Sequence, residues 1–135
     1  PLYFVFTDDV IYYNWIFIGS LISFLAVILQ IISDKQMRDF KRDILNKNKI
    51  MNLGLWKYSR HPNYLGEVMF WIGLYLMALS VDNLPYWLIL APLSMIILFI
   101  FISCPMMDER SLKKRPGYKE YMDKTSQLLI LPSSR

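Results

Sequence analysis

"VIYYNWIFIGSLISFLAVILQIIS", residues 10–33, is a run of 24 residues without a single charge. A helix needs about 20 predominantly apolar residues to cross the hydrocarbon core of a bilayer, so this stretch is predicted to be a membrane span. Two further stretches resemble it. Residues 86–107 are also free of charge, and residues 62–81 are interrupted only by Glu67. The chain as a whole is 55% hydrophobic over 135 residues, above the roughly 45–50% of a soluble domain. The expected fold is an all-α membrane protein. It has three transmembrane helices (about 10–33, 62–81 and 86–107), a cytoplasmic loop at 34–61 and a cytoplasmic C-terminal helical tail at 108–135. Residues 1–135 form one membrane domain on this reading.

The charges agree with that layout. All 15 Lys and Arg fall within 35–60 or 110–135. The lead segment carries Asp8 and Asp9 and no base, and the turn at 82–85 carries none either. Because cytoplasmic loops collect Lys and Arg, both basic segments are expected on the cytoplasmic side. The isoelectric point near 9.2 then reflects membrane topology. Seven acids are mixed with the bases in the loop at 34–61 and the tail at 108–135, which argues against a nucleic-acid partner. Cys104 is alone in an apolar run, too little for a disulfide framework or a metal site. The start lacks the basic region of a signal peptide. It opens on Pro1, so a fragment of a longer chain, or a processed or trimmed one, is expected.

The polar stretch "YSRHPNYLGE", 58–67, stands at the mouth of the second apolar run. Pro62 suits the first turn of a helix, where its missing N–H costs nothing. From there Asn63 and Glu67 are one turn apart on one face, with Tyr64 and Trp71 nearby and Arg60 and His61 at the lip. A carboxylate inside a membrane costs roughly 2.5–3.5 kcal/mol when it faces lipid, so Glu67 is expected to find a partner in the basic loops or a ligand. Taken singly, His61 reads as a cap and Arg60 as an interfacial anchor. Together, at a helix N-terminus, they suit an anion. Arg110, Lys113, Lys114, Arg115, Tyr118 and Tyr121 add groups suited to phosphate, although most of these lysines read as solvated. A pocket for a polyanionic or nucleotide ligand, roofed by membrane helices, is the expectation. On the preceding stretch, Asp34 and Arg38 have the spacing of a helical ion pair.

"GLWKYSRHPNYLGEVMFW" (54–71), followed after one hairpin by "DERSLKKRPGYKEYMDKTS" (108–126), resembles the steroid 5-alpha-reductase C-terminal family, in particular its uncharacterised bacterial membrane-protein branch. The resemblance covers roughly residues 30–133. It implies a fold shared with the sterol reductases and the isoprenylcysteine carboxyl methyltransferases, an integral membrane location in the bacterial inner membrane, and a C-terminus in the cytoplasm. Relatives of the first kind use NADPH and those of the second use S-adenosylmethionine. Arg60, His61, Pro62 and Tyr64 occur in both. Asn63, Gly66, Glu67 and Trp71 resemble the reductase side, and Asp34 falls where reductases place a cofactor-binding aspartate. Asp108 and Glu109, before Arg110, resemble an acidic pair of the methyltransferases.

The implied function is NADPH-dependent reduction of the C=C bond of a lipophilic enone drawn from the bilayer. An S-adenosylmethionine-dependent methyltransferase and a non-catalytic lipid-binding or assembly protein are the alternatives. The cofactor-binding set implied is Asp34, Arg38, Arg60, His61, Asn63, Tyr64, Glu67, Glu109, Arg110, Tyr118 and Tyr121, with no metal. Relatives carry additional helices before this region, including residues that polarise the substrate carbonyl. Missing residues, a homo-oligomer or a partner would have to supply that part, so no catalytic acid is assigned.

Overall fold

The computed structural model describes residues 12–132. Helix α1 is Tyr13–Arg42, α2 is Pro62–Ala78, α3 is Leu90–Ile97, α4 is Cys104–Lys114 and α5 is Tyr118–Lys124. The described residues contain no strand, and Ser59 and Ser126 form an isolated bridge. The helical fold expected from the apolar runs is what the chain adopts.

Helices α1 and α2 pack antiparallel and very close, because small residues meet along their seam. A Cβ on Gly19 would stand 2.5 Å from the Gly73 carbonyl oxygen, and one on Gly66 would stand 2.9 Å from that of Ala26. Backbones approach in this way where glycine, alanine and serine line both faces. Ser23 and Ala26 complete the α1 side and are buried. At one end of the pair the Tyr12 N–H donates to the Ser80 carbonyl at 3.0 Å.

The three-span expectation needs correction. Among the described residues, two helices are long and apolar enough to cross a membrane, Tyr13–Arg42 and the continuous helix Tyr86–Lys114 that contains α3 and α4. Helix α2 has 17 residues, about 25 Å at 1.5 Å per residue, short of a hydrocarbon core of about 30 Å. It ends early because Leu79 and Ser80 tighten into a turn, Leu79 N–H reaching Leu76 O and Ser80 N–H reaching Met77 O. No residue from Pro62 to Val81 is exposed and five of those in α2 are buried, so α2 is the most covered of the helices, and part of its apolar character serves packing against protein. Two long apolar helices are compatible with a membrane protein.

The long helix changes its winding part-way along. Pro105 lacks an N–H and would clash with a carbonyl one turn back. The residues before it, Leu98–Ser103, widen into a π-helical segment, where Cys104 N–H reaches back five residues to Phe99 O. One step on, the π pattern would pair Ile100 O with Pro105, which has no hydrogen to give. Gln127 Nε2 donates to that carbonyl instead, at 3.0 Å. Val68 of α2, Cys104 and Leu128 meet here as a buried cluster, with Tyr64, Phe99 and Ile100 packed on it.

The loop after α1 and the segment after α4 come together at one end of the bundle. Trp56 is buried and donates its indole N–H to Ser33 O at 3.1 Å, and Leu55 N–H donates to Gln36 Oε1. Arg60 N–H donates to Ser126 O at 2.9 Å, and the Ser59 hydroxyl to Leu128 O at 2.7 Å. Gly117, at φ +81°, turns the chain between α4 and α5 in a conformation that favours glycine.

Candidate functional site

The site is built around a carboxylate. Asp108, on the last turns of the long helix, is buried. Its Oδ1 accepts the Tyr118 hydroxyl at 2.8 Å and lies 3.1 Å from His61 Nε2. Its Oδ2 lies 2.9 Å from Arg60 Nη1. That last contact is an ion pair by distance, but the N–H is not directed along it. The three partners come from two places in the chain. Arg60 and His61 lead into α2, and Tyr118 opens α5 beyond the Pro116-Gly117 turn. Burial, and then the hydrogen bond to Asp108, push the Tyr118 hydroxyl well above its ordinary range, so it is a neutral donor at physiological pH.

In front of this cluster lies a cavity of about 450 Å³, a size suited to a small ligand. Arg60 faces it with its side chain only 10% exposed. Arg60 and Asn63 line this cavity, and their Nε and Oδ1 atoms are buried with no hydrogen-bond partner in the protein. One is a donor and the other an acceptor. Leaving such groups unpaired costs about 1–3 kcal/mol each, and a ligand with both functions would satisfy them. The His61 and Tyr64 rings stack at 5.4 Å, and Tyr64 stacks on Phe99 at 4.6 Å, so the aromatic wall is continuous with the interior. The Tyr121 hydroxyl donates to Trp56 O, which pins α5 to the loop.

Eight of the expected residues line this one cavity: Asp34, Arg60, His61, Asn63, Tyr64, Arg110, Tyr118 and Tyr121. Arg38, Glu67 and Glu109 do not. Arg38 is exposed on α1; the ion pair on this stretch joins Arg42 to Asp39 at 3.6 Å instead of Arg38 to Asp34. Glu67 accepts the indole N–H of Trp71 at 3.1 Å. Among the described residues no base pairs with it, and this bond comes from one turn along its own helix. Glu109 is exposed and paired with Lys113 at 2.5 Å.

Sequence reasoning missed the hub. Asp108 was noticed only as a neighbour of Glu109, and the signal that separates them is helical phase. The buried face of α4 carries Cys104 and, one turn later, Asp108, and an acid in phase with a core position is the one that turns inward. Lys41 and Trp56 also line the cavity without having been singled out.

Comparison with known proteins places residues 1–125 in the family described as a protein of unknown function, DUF1295. The chain belongs to that family, which is steroid 5-alpha-reductase-like. The chain is also similar to an uncharacterised protein of the fission yeast Schizosaccharomyces pombe, at 36% identity over 90 residues. That match covers 65% of this chain and 26% of the relative, so the chain spans about a quarter of the length of the curated relative it matches. No solved structure matches it.

Proposed function

We propose that this DUF1295 chain is part of a membrane-embedded reductase that binds NADPH and saturates the C=C bond of a lipophilic enone. The observation that carries the reading is the charge of the cavity. Lys41, Arg60, Arg110, Lys114 and Arg115 line it, against the single carboxylate of Asp34. Such a wall attracts phosphates. It suits a dinucleotide with a pyrophosphate and a further phosphate, and it repels S-adenosylmethionine, whose reactive centre is a sulfonium cation.

The residues present fit the cofactor. Arg60 Nε can donate to a carbonyl and Asn63 Oδ1 can accept from an amide N–H, the pair of functions a nicotinamide carboxamide offers. Asp108 holds Arg60 and Tyr118 in place from behind the wall. When bound, NADPH supplies the hydride that adds to the enone β-carbon, while the α-carbon takes a proton from water. The outer faces of the two long helices favour a substrate arriving from lipid. Phe17, Phe24 and Ile31, two turns apart on α1, are 72%, 63% and 59% exposed, a stripe that belongs against acyl chains rather than water. The basic end of the bundle is then the cytoplasmic one.

Thermal unfolding in detergent tests the reading. A ligand that binds only the folded state at a hundred times its Kd stabilises it by about 2.7 kcal/mol. NADPH is expected to raise the Tm and S-adenosylmethionine to leave it unchanged. The opposite pattern would replace the reductase with a methyltransferase, and no response to either would support a non-catalytic role.

A further inference from the structure

The segment after α5 turns back along the long helix. Residues 125–132 carry no charge, and Leu129, Ile130 and Leu131 are 55%, 41% and 48% exposed in succession. So short an apolar run cannot cross a bilayer. Its depth in the bundle gives it another use. Gln127 Nε2 reaches the Ile100 carbonyl at 3.0 Å, and Leu128 is buried with Val68 and Cys104. Ile100 lies nine residues before Glu109, the first exposed charge beyond the charge-free run of 86–107. That separation is about 13 Å at 1.5 Å per residue, close to the about 15 Å of half a hydrocarbon core. The side chains that follow Ile100 are open as well, Phe101 at 72% and Ile102 at 50%. An apolar tail has come down to the level of an apolar belt.

We infer that Leu129, Ile130 and Leu131 form a re-entrant anchor, seated among the acyl chains of the leaflet at the basic end of the bundle. The inference rests on the membrane placement of the two long helices and holds whatever the cavity binds. Non-helical backbone at membrane depth has to find its hydrogen-bond partners within the protein. This segment finds them in residues 58–60. Ser126 O accepts the Arg60 N–H, Leu128 O accepts the Ser59 hydroxyl, and the Leu131 N–H donates to Tyr58 O at 3.2 Å. Pro132, next in line, has no N–H to satisfy. Beside the segment Tyr58 is 39% exposed, and Lys57 Nζ stands 5.8 Å from the centre of its ring. A tyrosine and a long-stemmed lysine suit the headgroup boundary, where one end is apolar and the other wet. The same backbone bonds that bury the tail's polar groups also hold the approach to Arg60, so the anchor and the mouth of the cavity are one piece.

Spin labels test the depth. Ile130→Cys, Phe101→Cys and Lys119→Cys, each with Cys104→Ala, are labelled and held in phosphatidylcholine nanodiscs. Power saturation then reads collisions with oxygen, which concentrates among acyl chains, and with a nickel chelate, which stays in water. Phe101 and Lys119 are both exposed, one on the long helix and the other on α5, and serve as the lipid and water references. The Ile130 label is expected to follow Phe101, with oxygen the more effective relaxant. A label that follows Lys119 overturns the inference. So does one that neither reagent reaches, which would assign the segment to contact with another stretch of protein or a second copy. If the Phe101 label itself reports water, the membrane placement fails and the anchor with it; Phe101 in lipid with Ile130 in water sinks the anchor alone. A second measurement needs no substitution. The parent chain is photolysed in nanodiscs of phosphatidylcholine bearing a diazirine on its acyl chain, and the adducts are mapped by mass spectrometry. Adducts on 129–131 are expected beside those on 101–102, and adducts confined to the long helices overturn the inference.

Discussion

Asp108 binds together three side chains that would each be costly to bury alone. Removing one partner of a buried ion pair typically costs about 3–5 kcal/mol, because a charge is stranded. Asp108→Asn keeps the shape and strands Arg60, so it is expected to lower stability by about that amount in a denaturant titration in detergent. Tyr118→Phe removes one hydrogen bond and should cost about 1–2 kcal/mol. The tyrosine also sets a pH dependence. Its folded pKa lies above that of a tyrosine in the unfolded chain, near 10. The stabilising effect is thus complete below pH 10 and is lost as pH rises beyond it, while the unfolded chain ionises and the native hydroxyl stays protonated. Stability should fall above pH 10 in the parent and fall less steeply in Tyr118→Phe. Equal slopes would mean that other groups govern the alkaline limb. Arg60 and His61 were legible in the sequence as members of a dense polar motif, but their carboxylate partner lies 47 residues from His61. No local spacing marks such a pair. Glu67 shows the converse. Its neighbour Trp71 was in plain view one turn away, yet the chemistry of a buried acid drew attention to distant bases.

Among the elements, the seam between α1 and α2 depends on residues that are small rather than sticky. A Cβ at Gly73 would stand 2.7 Å from Gly19 O and 2.9 Å from Ser23 N. Both are backbone atoms, so the helices themselves would have to separate. Gly73→Ala is therefore expected to destabilise by about 1–3 kcal/mol, the usual cost of overpacking, although alanine is the better helix former. A Tm unchanged from the parent would show that the seam has slack. The π-helical widening before Pro105 makes a second prediction. Gln127→Leu leaves the Ile100 carbonyl without its donor and should cost about 1–3 kcal/mol. Hydrogen exchange would show the loss first at the segment 98–104. Proline in the long helix was visible in the sequence. The π segment was not, because whether a helix kinks or widens depends on what can satisfy the freed carbonyl, and here the donor comes from 27 residues further on.

For the molecule as a whole, the charge pattern foretold which parts would meet more reliably than it foretold how many helices would cross. Both basic segments gather at one end, as their joint assignment to one side required. Apolarity over 62–81 was read as contact with lipid, whereas α2 is covered by its neighbours; composition alone does not distinguish these two surroundings. If the bundle sits in a bilayer as proposed, single cysteines at Asn48 and Lys119, with Cys104 replaced by alanine, should both react with a membrane-impermeant reagent from the same side. Reaction from opposite sides would refute the proposed placement.

The bonds from Ser126 and Leu128 back to Arg60 and Ser59 also set an order of events during synthesis. Helices α1 and α2 can pair through their glycines as soon as Ala78 has left the ribosome. The backbone that presents Arg60 has to wait until almost fifty further residues have been added (from 78 to 126). Until then the nascent chain carries a joined hairpin with an unfinished mouth, and its polar lip stays open to any chaperone or insertase that handles the chain. A ribosome stalled anywhere between those two points would hold a chain whose first two helices are already packed and whose polar mouth is still unbuilt.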